Sequence, residues 1–177
     1  GSLPKNFNKK EFDVRVVLPK YACMKQEWKE KLEYVTNFYM GYNWKERYVG
    51  IFKLVLDGVT FYFIDNEEYF NGDKPYTSDG LWDIERFGYF SKAVLSILPV
   101  IDFRPDVIHC HDWQTGLVPV YLDHFRFAGE YYQGIKTVMT IHNLKFQGVW
   151  GTKDVRNIVG LPEYYFAPDK LEAYHDA

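Results

Sequence analysis

The sequence predicts an α/β fold, a mostly parallel sheet with flanking helices, and three observations carry that expectation. Val107 and Ile108, then Val138 and Ile141, read as short buried strands of a parallel sheet. Between them Leu117, Val118, Tyr121, Leu122 and Phe125 recur at helical spacing. The stretch therefore reads strand, helix, strand, a unit whose crossover is right-handed when the strands are parallel. Each strand ends in a polar cluster: His109, His111, Asp112 and Trp113 after the first, His142, Asn143 and Gln147 after the second. Gly116 and Gly148 follow. Ligands of open parallel sheets bind beyond the carboxyl ends of the strands, so chemistry is expected there.

The remaining elements follow in chain order. Ser2 to Phe7 reads as the end of a helix, with Leu3 and Phe7 on one face. Asp13 to Leu18 is a strand stopped by Pro19. From Tyr21 to about Met40, Trp28, Leu32 and Val35 fall on one helical stripe, and the alternating Lys and Glu predict a solvated helix face. Gly50 to Leu56 and Val59 to Ile64 are strands joined by Asp57-Gly58, a strong signal for a hairpin turn with positive φ at both positions. Glu67 to Asp83 is loop, punctuated by Gly72, Pro75 and Gly80. Ile84 to Leu98 is an amphipathic helix with Phe87, Phe90, Val94 and Ile97 on one side. Pro119 fits the later helix only in its first turn or at a kink. The tail from Gly160 to Ala177 holds helical pieces and no strand.

Composition narrows the function classes. A chain of 177 residues suffices for one domain with a sizeable core, not for two large ones. A net charge of −3 leaves no footprint for nucleic acid or an anionic membrane. Cys23 and Cys110 imply no disulfide framework and fit a reducing, cytosol-like compartment. No apolar run approaches the roughly 20 residues of a membrane span, and no signal peptide is expected. Gly1-Ser2 reads as a tag remnant or as native sequence. The 15 Tyr and 14 Phe suit a ring-rich core, or a non-catalytic carbohydrate-binding module whose exposed rings stack on sugars.

At the strand ends, Asp112 precedes a helix, and as an N-cap it would contribute about 1 kcal/mol with no further role. His109 and His111, two apart on a strand, share a face. They could be satisfied by backbone partners. They could also, with Asp112 and a further ligand from His142 or His124, form the metal site of a hydrolase. His142 and Asn143 suit vicinal hydroxyls, and Gly148 points to backbone approaching a ligand.

His109-Cys-His-Asp-Trp-Gln-Thr-Gly116 and Thr140-Ile-His-Asn-Leu-Lys-Phe-Gln-Gly148 resemble the paired signatures of bacterial glycogen synthases and plant starch synthases. The likeness covers nearly the whole chain. Gly1 to Lys5 resembles the segment after the family's glycine-rich loop, Asp13 to Tyr21 its next strand, Tyr69 to Gly72 through Asp83 to Phe87 the loop and helix before the first signature, and Gly160 to Pro162 a downstream helix region. The resemblance implies a Rossmann-like layer with a β-hairpin insertion, residues 1–177 forming part of the N-terminal, acceptor-side domain of a two-domain GT-B glycosyltransferase. The first strand with its Gly-rich loop and the C-terminal nucleotide-binding domain would lie outside it.

The resemblance further implies transfer of glucose from ADP-glucose to the non-reducing end of an α-1,4-glucan, with retention and with neither metal nor cofactor. Asp112 and His142 would be catalytic, His142 on the donor glucose and Asp112 holding or polarising the reacting sugar and acceptor. Tyr76, Trp113, Asn143, Gln147 and Gly148 would bind substrate. The location would be a bacterial cytoplasm, or a plastid for a plant protein. The chain alone is expected to be inactive, with apolar faces that favour self-association.

Overall fold

The computed structural model describes residues 2–173 and 176–177. Gly1, read above as tag remnant or native, lies outside the described residues. Two compact units emerge, one from residues 1–39 and 48–75, the other from 40–47 and 76–177.

The first unit is built on a four-stranded mixed sheet. Its strands are β1 (Arg15–Pro19), β2 (Glu33–Tyr42), β3 (Lys45–Leu56) and β4 (Val59–Asp65), in the order β1-β4-β3-β2, with residues 40–47 of the β2–β3 hairpin counted in the second unit. β1 runs parallel to β4, with Val17 opposite Tyr62, while β3 and β4 are antiparallel, with Phe52 opposite Phe63. The β3–β4 turn forms as its dipeptide requires, with φ of 51° at Asp57 and 71° at Gly58.

The helix expected from Tyr21 to Met40 does not form. One turn, α1 (Gln26–Lys29), is all that remains of it, and Glu33 to Tyr42 is β2. Thr36, Phe38, Met40 and Tyr42 are the more buried positions, a period of two that outweighs the three-residue stripe. Likewise Pro4–Asn6 is a single 3-10 turn and not a helix end. The segment read as loop holds a short helix, α2 (Glu67–Phe70), capped by the Asn66 side chain accepting from the Tyr69 N–H at 3.1 Å.

The second unit is organised by α3 (Gly80–Val100), longer than expected at its start because Asp79 caps it, accepting from the Trp82 N–H at 3.1 Å. Its burial runs round the helix, from Ile84, Phe87 and Phe90 to Tyr89, Ala93, Leu95 and Ile97, so it is a core helix and not an amphipathic surface one. It packs on α4 (Val118–Arg126) and α5 (Thr152–Val159), which bury Tyr121, Leu122, Val155 and Val159. Pro119 sits in the first turn of α4, where its missing N–H costs nothing.

β5 (Val107–His111) and β6 (Lys136–Thr140) pair in parallel, His109 opposite Val138 and His111 opposite Thr140. They were expected to be buried, and they are largely not: Val107 is 51% exposed, Val138 48%, and Ile141, beyond the strand, 60%. Among the described residues each of these strands pairs with the other alone, so the ladder has two open edges. Among the described residues no helix is long and apolar enough to cross a membrane.

Candidate functional site at the β5 and β6 ends

Asp112 is the residue on which the site turns. Its backbone has φ 59° and ψ −179°, a region that side chains other than glycine avoid at a cost of about 1–3 kcal/mol. Three contacts hold it there. Its N–H donates to the Thr140 carbonyl at 2.9 Å, extending the β5–β6 ladder by one residue. Its Oδ1 accepts the His142 N–H at 2.6 Å and the Asn143 N–H at 3.3 Å. The N-cap role does not materialise, since the carboxylate makes no capping bond to the 3-10 turn Trp113–Thr115 that follows. The free N–H groups it satisfies belong to the other strand's end, so the carboxylate buckles the two ends together.

That buckle brings the imidazoles into one cluster. His111 and His142 lie with ring centroids 5.3 Å apart and planes 21° apart, with His111 Nδ1 3.1 Å from His142 Nε2. His109, on the same strand face, lies against His111 with ring centroids 4.3 Å apart and planes 30° apart. Its Nε2 reaches Thr140 Oγ1 at 2.6 Å. Burial lowers the pKa of His111, and repulsion from His109 and His142 lowers it further against the opposing pull of Asp112. His111, His142 and Asn143 are exposed, so the cluster faces solvent.

The hydrolase reading lacks its donor set. His109 turns to Thr140 and His111 to His142, and among the described residues no group of three His, Cys, Asp or Glu is placed to hold a metal ion. His124 packs edge-on against Tyr165 instead, at 6.1 Å.

The aromatic side of the site is a row. Trp113 meets Phe87 edge-on at 5.3 Å, and Phe87 meets Tyr76 at 6.1 Å. Tyr76 is 57% exposed, and the residue after it is tied down: Thr77 donates its N–H to Asp83 at 3.1 Å and its hydroxyl at 3.0 Å. Asp83 also receives Arg86 at 2.7 Å, and both are buried. The close approach signalled by Gly148 is made by protein. With φ +66°, its chain passes so near the indole that an added Cβ would lie 2.2 Å from Trp113 Cε3. Asn143 Oδ1 accepts the Lys145 N–H at 3.0 Å, closing an Asx turn, and Gln147 donates to the Leu144 carbonyl at 3.0 Å.

The structure thus joins Asp112, His142 and Asn143 directly and sets Trp113 against Gly148. Gln147 bonds within its own loop, to the Leu144 carbonyl, and Tyr76 joins through Phe87. Phe87 and Asp83 went unrecognised as site supports. Phe87 carried only a helix-face signal, and Asp83's link to Thr77 needed the shape of the intervening turn.

Strand ends of a parallel α/β layer that hold polar side chains outward define a ligand-binding domain of the open-sheet type. Residues 1–177 match the model of the starch synthase catalytic domain. Glycogen synthase of Lachnospira eligens is 61% identical over 100% of this chain and 37% of that protein, and that of Desulforamulus reducens 46% identical over 98% and 36%. Among solved structures, the catalytic domain of starch synthase IV from Arabidopsis thaliana bound to ADP and acarbose matches with a TM-score of 0.82 and 28% identity, over 96% of this chain and 35% of that one. The chain belongs to the starch synthase catalytic domain family of GT-B glycosyltransferases. It spans a little over one third, 37%, of the length of the Lachnospira relative.

Proposed function

We propose that the chain is the acceptor-side part of a retaining glucosyltransferase that passes glucose from ADP-glucose to the non-reducing end of an α-1,4-glucan. The observation that carries this reading is the double hydrogen bond from the His142 and Asn143 backbone to Asp112, in a chain of this family. It sets an imidazole and an amide side by side on an exposed rim. These are the neutral groups suited to orienting sugar hydroxyls without trapping a charge.

In the proposed reaction His142 contacts the donor glucose. Asp112 fixes the turn that carries His142 and lends negative charge beside a reacting carbon of oxocarbenium character. Fixed dipoles of this kind stabilise developing charge most where they need not reorganise. Trp113, Asn143 and Tyr76 line the sugar and acceptor side, with Gln147 and Gly148 shaping the loop beneath. We assign no cofactor to the reaction, and the leaving diphosphate belongs to the donor substrate. That diphosphate needs cations and helix N-termini, which we place in the nucleotide-binding domain and the Gly-rich loop, beyond these residues. The relatives are bacterial, which supports a cytoplasmic setting.

The exposed Val107, Val138, Met139 and Ile141 support the partial-domain reading, as a sheet awaiting further strands would display such a row. The isolated chain should accordingly self-associate and transfer no glucose. Elongation of glycogen from labelled ADP-glucose tests both parts. A protein of the relatives' length carrying this sequence should incorporate label and lose at least 100-fold on Asp112→Ala or His142→Ala, while the 177-residue chain should incorporate none. Failure of the longer protein to incorporate glucose, or clear turnover by the chain alone, would overturn the reading.

A further inference from the structure

His111 has no part in the reaction as set out above, yet its ring is the immediate neighbour of the one that contacts sugar. Nδ1 of His111 and Nε2 of His142 are 3.1 Å apart, the distance of a hydrogen bond in which one ring donates and the other accepts. The two arrangements are not equivalent. If His142 donates, both neutral rings carry their proton on Nε2, the tautomer that free imidazole side chains prefer. If His111 donates, both are forced into the Nδ1–H form.

We propose that His111 is a positioning residue that fixes the tautomer and ring plane of His142, accepting its Nε2–H on a bare Nδ1 so that His142 offers Nδ1 as an acceptor to a donor-sugar hydroxyl. The inference rests on the glucosyltransferase reading for the sugar, but not for the ring-to-ring bond. His142 is then held twice: its main chain by Asp112 at 2.6 Å and its ring by His111. His111 is itself held, because Thr115 Oγ1 donates to its carbonyl at 2.9 Å and its ring lies against that of His109, centroids 4.3 Å apart.

The charged and titratable neighbours are His109 and Asp112 from its own strand and His142 from the segment after β6. Desolvation and the two imidazoles lower the pKa of His111 against the opposing pull of Asp112, and which of its nitrogens is bare is set by the bond to His142. The neighbouring His109 cannot substitute, since its Nε2 is engaged with Thr140.

The test observes histidine ring protons of the longer protein, 15N-labelled at histidine, by NMR at neutral pH, in wild type, His111→Phe, His111→Asn and His109→Ala. His142 should show a slowly exchanging Nε2–H that vanishes in His111→Phe and returns in His111→Asn, whose amide oxygen can take the place of Nδ1. His109→Ala should leave the signal in place. A His142 ring protonated on Nδ1, or a signal indifferent to His111→Phe, overturns the proposal.

In the longer protein, His111→Phe should lower kcat for glucose transfer about 10-fold with KM for glucan little changed, and His111→Asn should recover most of the loss. Equal losses in both variants also overturn it. Absence of transfer by the wild-type longer protein would instead refute the glucosyltransferase reading, and the ring-proton result would still decide the role of His111.

Discussion

Three glycines separate the cost of a backbone conformation from the cost of a crowded side chain. Gly129 is extended, with φ 171°, and an added Cβ meets nothing within 4 Å. Gly160 ends α5 with φ +66°, and its Cβ also meets nothing. Gly148 has the same φ, but its Cβ would lie 2.2, 2.7 and 3.1 Å from three indole carbons of Trp113. Gly129→Ala should therefore be neutral or stabilise by up to about 1 kcal/mol, through the unfolded chain. Gly160→Ala should cost about 1–2 kcal/mol, the left-handed penalty alone. Gly148→Ala should add about 1–3 kcal/mol of overpacking, for a total of about 2–5 kcal/mol. Urea unfolding followed by circular dichroism reads these as midpoint shifts at constant slope. In a Trp113→Ala background the Gly148→Ala cost should fall to the Gly160→Ala value. If Gly148→Ala costs no more than Gly160→Ala in the wild-type background, the loop does not rest on Trp113 and the site is built differently.

Two further outcomes are expected. Cys110 is buried, and burial pushes its thiol up to about 11 against a weaker opposing hydrogen bond from Thr115, whereas Cys23 is exposed. Ellman's reagent at pH 8 should titrate one thiol in the native chain and both in denaturant; two thiols reacting in the native chain would contradict the packing of β5. Asp83→Ala removes one partner of a buried ion pair and should cost about 3–5 kcal/mol, freeing Thr77 and with it Tyr76. A loss below about 1 kcal/mol would show that neither Arg86 nor Thr77 depends on that carboxylate.

What could be read from the chain depended on the range of the interaction. Asp57-Gly58 was legible because positive φ is a local demand, and the four-residue turn met it at both positions. β5, α4 and β6 were legible as a strand-helix-strand unit, though not the exposure of Val107 and Val138, which depends on what else covers the sheet. β2 was misread because Trp28, Leu32 and Val35 mimic a helical stripe, while its burial period of two appears only once the segment is extended and one face is covered. The Asn43-Trp44 turn between those strands, with φ of 49° and 63°, lacked the glycine that announces such turns. At the site, Asp112 and His142 were identified by their motifs, but not the bond between them. Sequence neighbours favoured an N-cap, whereas the register His111 opposite Thr140 delivers the carboxylate to the other strand's N–H groups.

The convergence of Asp112 on the His142 and Asn143 amides is tested most directly by their hydrogen exchange rates in the native chain. Both amides lie in exposed sequence, so only a bond to the carboxylate should slow them. Protection of roughly 10-fold or more in wild type, abolished in Asp112→Ala and retained in part in Asp112→Asn, is the expected pattern. Exchange at the unprotected rate in wild type, or protection that survives Asp112→Ala, would mean that the two strand ends are not joined there.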